Sequence, residues 1–187
     1  GVQTCALPIC FNNKLVGLGG KLENVVFMVD ISKSMQSDKG PNGVVLNNWV
    51  PIVEVIERWI NGLNVGSAAL IVFGDSADVM VEMQELNQGG REKILDVLKR
   101  IDPNADGTNF LAAFEKAYSI PNVDTIIVFS DGLPSVDVNG NRIFIGGKNS
   151  GETDEAYKMR VANTVTENVN RVLAVHRRIS EMAKKHP

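Results

Sequence analysis

The stretch Asp30-Ile31-Ser32-Lys33-Ser34 sets one carboxylate and two hydroxyls at alternate positions. Later in the chain Thr108 follows Gly107 in a turn, and Ser130-Asp131-Gly132 supplies a second carboxylate. The five side chains Asp30, Ser32, Ser34, Thr108 and Asp131 offer oxygen alone, with no His and no Cys among them. Such a donor set selects a hard cation, magnesium first and manganese or calcium as alternatives, over zinc or copper. Magnesium takes six oxygens at about 2.1 Å and keeps several waters. With so few ionised ligands the ion is left short of one, and an acidic group from a partner can complete its shell. That chemistry binds; it does not react.

Distant residues meet only if the fold brings them together, and the hydrophobic pattern says how. Asn24 to Asp30 is a continuous apolar run ending in an acid, which suits a strand buried on both faces of a parallel sheet. Ser67 to Phe73 and Asp124 to Phe129 read the same way. Asp78 to Glu85 alternates Val79, Val81 and Met83, the pattern of a half-exposed strand. The short Gly74-Asp75-Ser76 turn makes it an antiparallel edge neighbour of the strand before it. Helical spacing places amphipathic helices from Trp49 to Leu63, capped by Asn48, from Arg91 to Ile101, from Phe110 to Tyr118, and from about Thr153 to Lys184. Polar residues with Gly40, Pro41 and Gly43 read as a loop. Asn139-Gly140, between alternating segments over 136–145, is a hairpin signal.

Strands and helices alternate, so the expected class is α/β: a doubly wound, mostly parallel sheet with one antiparallel edge strand and helices on both faces. In such sheets ligands bind beyond the carboxyl ends of the strands. The clusters after the first and third runs converge there if those strands are neighbours, about 4.8 Å apart.

Composition narrows the classes. A chain of 187 residues that is 44% hydrophobic and 22% charged is one globular domain, and a net charge of −3 gives no nucleic-acid surface. No apolar run reaches the roughly 18 residues that would span a bilayer, so this segment does not insert into a membrane. The two cysteines, Cys5 and Cys10, lie in the first ten residues, which excludes a disulfide framework or Cys-rich zinc site in the body and fits either redox compartment. Residues 1–9 resemble a translated sequencing adapter. Residues 1–23 are therefore read as a lead-in, Gly-rich around Gly17 to Gly20, and 24–187 as the domain.

Order, spacing and strand context together resemble the metal-ion-dependent adhesion site of the von Willebrand factor A family. Asp30-x-Ser32-x-Ser34 follows a Val-rich strand, Gly107-Thr108 forms a turn, and Ser130-Asp131-Gly132 follows another strand. The likeness runs from about Asn24 to Ser135. It implies a Rossmann-like doubly wound sheet, with Ser32, Ser34 and Thr108 as hydroxyl ligands. Asp30 and Asp131 would be direct or water-mediated carboxylates, and the partner a protein offering Asp or Glu. Two departures stand out. Lys33 occupies a position that is often Gly in the family. The family also usually places a further parallel strand after the helix that follows Asp131, where this chain stops at Pro187; the expectation is a domain truncated at both ends.

Two other functions compete with a non-enzymatic adhesion or scaffold module. A haloacid dehalogenase-like phosphotransferase would use Asp30 as a nucleophile, but it wants a second acid where Ser32 stands. A scaffold with a vestigial metal site is the other. Elsewhere, Asp75 and Asp78 read as solvated turn residues, Asp106 as a turn initiator, and Trp49 and Trp59 as packing residues. Lys33 reads as pointing into water, and Arg171, Arg177, Arg178, Lys184 and Lys185 as a solvated face and helix end.

Overall fold

A computed structural model of the chain describes residues 22–36 and 49–186, together with the backbone of four short strands before and between these segments. Those strands form two small antiparallel pairs: β1 (Cys10–Phe11) with β2 (Lys14–Leu15), and β4 (Ser37–Lys39) with β5 (Val45–Asn47). The second pair flanks the segment read from sequence as a plain polar loop. The adapter-like residues 1–9, the glycines at 17–20, Gly40, Pro41 and Gly43, and the cap expected of Asn48 lie outside the described residues.

The main sheet has four strands: β3 (Asn24–Asp30), β6 (Ser67–Phe73), β7 (Ala77–Glu85) and β8 (Thr125–Phe129), in the order β7-β6-β3-β8. β3 pairs in parallel with both β6 and β8, and β6 pairs with β7 antiparallel. The sheet is thus mostly parallel with one antiparallel edge strand, as the apolar runs predict. β3 and β8 are neighbours, with Val29 opposite Phe129, so the peptides that follow them leave the sheet side by side.

β3 is buried from Val25 to Asp30, and its side chains alternate between two cores. Val25, Phe27 and Val29 face a core built with α2 (Trp49–Gly62) and α3 (Gln88–Arg100). Val26 and Met28 face a second core closed by Ala113 and Ala117 of α4 (Phe110–Tyr118). Each large side chain buried this way contributes about 1.5–3 kcal/mol, and the inner strands β3 and β6 bury theirs on both faces. Leu22 already belongs to the first core.

Helix boundaries follow caps as well as periodicity. α2 buries Trp49, Val53, Ile56 and Ile60, spaced four, three and four residues apart, and tolerates Pro51 in its first turn. α3 begins three residues earlier than its apolar spacing suggests. The Asn87 side chain accepts from the Gly90 N–H at 3.0 Å, and this cap carries the helix across two glycines that look like loop. Trp59 packs edge-on against Phe129, with ring centroids 5.9 Å apart, so α2 braces the last residue of β8. Both tryptophans are packing residues, Trp49 being buried.

After β8 the hairpin expected over 136–145 is reduced to one bridge, between Val136 and Arg142. The turn is present, with Gly140 at φ +81, where glycine is favoured. Asp137 satisfies it from within, accepting the N–H groups of Asn139 at 2.9 Å and Asn141 at 2.8 Å. Two backbone bonds flank the bridge, from the Asp137 N–H to the Asn141 carbonyl at 2.9 Å and from the Ile143 N–H to the Ser135 carbonyl at 2.7 Å, and Arg171 also bonds the carbonyls of Asn141 and Arg142. Arg171 belongs to the long helix α5 (Asp154–Ala183), which Thr153 caps. It is not part of a solvated face: it pairs with the buried Asp137 at 2.8 Å. α5 packs on α4, where His186 stacks on Tyr118 at 4.8 Å. Among the described residues, no helix is long and apolar enough to cross a membrane.

Candidate functional site

Parallel pairing of β3 with β8 delivers Asp30 and Ser130 to the same sheet edge. Asp30 is fully buried, an expensive place for a carboxylate unless hydrogen bonds or a cation compensate. Its Oδ1 accepts the Ser32 N–H at 2.8 Å, and its Oδ2 accepts the Ser130 hydroxyl at 2.7 Å. Burial pushes the Asp30 carboxyl above its usual range. The Ser130 hydroxyl and the Ser32 backbone and side chain pull it part of the way back, and the nearby Asp131 carboxylate pushes it up again.

From Asp30 the chain turns into a single helical turn, α1 (Lys33–Gln36), which places Ser32 and Ser34 on one side. Their hydroxyl oxygens lie 3.0 Å apart, and the Ser34 hydroxyl donates to Asp131 Oδ1 at 3.2 Å. Asp30, Ser32, Ser34 and Asp131 are therefore joined in one hydrogen-bonded string.

Thr108 comes to this edge through the backbone. Ser32 bridges to Ala105 in parallel fashion: the Lys33 N–H donates to the Ala105 carbonyl at 2.9 Å, and the Ala105 N–H to the Ile31 carbonyl at 3.0 Å. Thr108 is buried. Its N–H donates to the Ser135 hydroxyl at 2.7 Å, and its carbonyl accepts the Ser135 N–H at 3.0 Å. The loop carrying Thr108 is thus fastened on one side to the segment after β3 and on the other to the segment after β8. No hydrogen bond joins the Thr108 hydroxyl to the other four residues.

Several contributors were not evident from sequence. Ser130 was visible only as a neighbour of Asp131, and Ser135 carried no signal at all. Asp75 is not a simple solvated turn residue. It forms an ion pair with Arg142, its Oδ2 accepts the Asp106 N–H at 3.2 Å, and its carbonyl accepts from the Asn109 side chain at 3.1 Å. Gly74 before it lets two loops close: a Cβ there would overlap that of Ala105 and touch the Gly107 carbonyl. Asp106 pairs with Lys33, whose ammonium holds that carboxyl below its usual range.

The donor chemistry fits a hard cation. Asp30, Ser32, Ser34 and Asp131 bring two carboxylates and two hydroxyls to one edge, the Thr108 loop is fastened beside them, and among the described residues the buried Asp30 forms no ion pair. Among the described residues no three His, Cys, Asp or Glu side chains form a metal-binding group, so any ion here would rest on hydroxyls as much as on carboxylates.

No curated protein matches the sequence. Among solved structures, the fold resembles a von Willebrand factor type A protein from Catenulispora acidiphila, at 16% identity and a TM-score of 0.49, covering 80% of this chain and 31% of that one. It also resembles the pilus adhesin SpaC from Lactobacillus rhamnosus GG, at 20% identity and a TM-score of 0.49, covering 73% and 18%. A third is the conserved hypothetical protein BatB from Bacteroides thetaiotaomicron, at 17% identity and a TM-score of 0.46, covering 87% and 99%. The chain therefore spans less than a third of the first two of these proteins. Likenesses this distant carry no functional weight. The sequence profile of the von Willebrand factor type A domain is different: it matches residues 25–133, more than half of the chain, and takes in β3, the Thr108 loop and the end of β8. This chain belongs to the von Willebrand factor type A domain family.

Proposed function

We propose that the chain is a protein-interaction module that binds an acidic group of its partner through one divalent cation, magnesium or, as alternatives, manganese or calcium. The residues that would hold the ion are Asp30, Ser32, Ser34, Thr108 and Asp131. When bound, the ion supplies an open coordination position for an Asp or Glu carboxylate. The observation that supports this reading is the string from buried Asp30 through Ser32 and Ser34 to Asp131, assembled from two segments a hundred residues apart. Asp30 keeps an oxygen-rich floor beneath the site, and Ser34 and Asp131, both exposed, face the incoming partner. Ser130 and Ser135 hold those side chains in register by bonding to Asp30 and to the Thr108 backbone.

The phosphotransferase reading asks for a second acid at the position of Ser32, whose hydroxyl here bonds to Ser34. The interaction reading is tested by immobilising the chain and measuring capture of an acidic peptide with magnesium and then with EDTA. Binding that EDTA reverses, and that Thr108→Ala abolishes without loss of fold, is expected. Binding that ignores both changes rules the reading out, and a trapped phosphoaspartate at Asp30 would replace it with the enzymatic one.

A further inference from the structure

Lys33 stands between two proposed hydroxyl ligands, and its backbone and side chain have separate roles. The backbone N–H is fixed to Ala105. The side chain is 63% exposed and pairs with Asp106, itself 68% exposed, two residues before Thr108. Two of the loops that meet at the site thus carry an ammonium and a carboxylate that neutralise each other at the surface. An ion pair this exposed is weak, because water and salt compete for both partners. The Lys33 ammonium can therefore be transferred from Asp106 to another carboxylate at little cost.

We propose that Lys33 is a specificity-determining contact that selects partner segments carrying two neighbouring acidic groups. One acid would go to the ion and the other to the Lys33 ammonium, with Asp106 taking the second position in the free protein. This rests on the metal-dependent reading above. Asp106 then acts as an internal competitor: it keeps Lys33 from attracting isolated anions, and it yields when a partner brings a second carboxylate beside the first. Charge complementarity of this kind sets which partner is chosen more than how tightly it is held.

The test compares two synthetic peptides on the full chain in saturating manganese, identical except that one of two adjacent Glu residues is replaced by Gln. The wild type is expected to prefer the two-acid peptide at low salt by about twofold, below the roughly fivefold ceiling of an exposed pair because the Lys33–Asp106 pair is given up, and the preference should shrink as salt rises. Lys33→Gln should erase the preference. Lys99→Gln, which removes the same charge from α3, should keep it. Asp106→Asn should raise affinity for the two-acid peptide. Equal affinity of the wild type for both peptides, or a preference that survives Lys33→Gln, overturns the proposal. Weaker binding of both peptides to Asp106→Asn overturns the competitor role and assigns the pair to holding the loop. The melting temperature in manganese is read alongside: a metal-induced rise that persists in all variants keeps the site reading whatever the peptides do. Its absence from the wild type removes that reading and this one together.

Discussion

Ser130 donates its hydroxyl to Asp30 Oδ2 at 2.7 Å, joining the end of β8 to the end of β3 across the floor of the site. Because Asp30 is fully buried, its Oδ2 cannot exchange this donor for bulk water. Ser130→Ala should therefore cost about 1–3 kcal/mol, the penalty for leaving a buried polar group unsatisfied. Ser130→Thr, which keeps the hydroxyl, should restore most of it. Urea unfolding of the two variants measures this, and an alanine variant with an unchanged midpoint contradicts it.

Arg171 is the strut between α5 and the turn at Asp137. It bonds the Asp137 carboxylate and the carbonyls of Asn141 and Arg142. Burial pushes the Asp137 carboxyl up. The Asn141 N–H, the Arg171 guanidinium and the Asn139 N–H together outweigh this and leave it below its usual range. Arg171→Met keeps the stem and removes the charge, and should destabilise the domain by about 1–3 kcal/mol. Hydrogen exchange should then rise at Asn139 and Asn141. Loss confined to the far end of α5 would show that the strut does not hold the turn.

Gly74 and Ala105 compete for one space. Gly74→Ala drives a methyl into Ala105 and should cost about 1–3 kcal/mol, as overpacking does. Combining it with Ala105→Gly should recover much of the loss, and a double-mutant cycle reads the coupling. Purely additive effects would mean that the two loops do not share that space.

The sequence made the sheet legible because β3 and β6 are buried on both faces and carry unbroken apolar runs, β8 carries a similar run although it is only partly buried, and β7 is half-exposed and alternates. It made the Asp30 and Asp131 clusters legible because acids and hydroxyls stood at the ends of those runs. What it hid depends on side chains reaching across the fold. Asp75 looks like any turn aspartate until Arg142 meets it. Arg171 looks like any surface arginine on a helix until Asp137 is found buried beside it. Ser135 has no local signature, since its role lies in pairing with Thr108 from a different segment. The Asn139-Gly140 signal marks a real turn, but the pairing around it is short, because the Asn141 N–H goes to the Asp137 carboxylate while the Asp137 carbonyl accepts the Gly140 N–H.

Acid should weaken the start of α5. Arg160 holds the Glu152 carboxyl down at about 2, against an ordinary 4.5, and the Asn149 N–H adds to the effect. A carboxyl depressed in the folded state contributes stability that is fully present above the unfolded value. That stability is lost as pH falls from about 4.5 towards about 2. Asp106 and Asp137 shift in the same direction. Arg160→Gln should flatten part of the acid limb of a stability–pH curve while changing little in how stability varies near neutral pH. An acid limb identical to that of the wild type would contradict the assignment.

The most direct measurement is the melting temperature of the chain as magnesium or manganese is added, in the wild type and in Asp131→Ala. A ligand bound only by the folded state stabilises it by about 2.7 kcal/mol at roughly a hundredfold excess over its dissociation constant. The wild type should therefore melt at progressively higher temperature, EDTA should reverse the rise, and Asp131→Ala should lose most of it while melting normally without metal. A wild-type midpoint that stays fixed at millimolar metal, or an equal rise in Asp131→Ala, would contradict the proposal that these oxygens hold a cation.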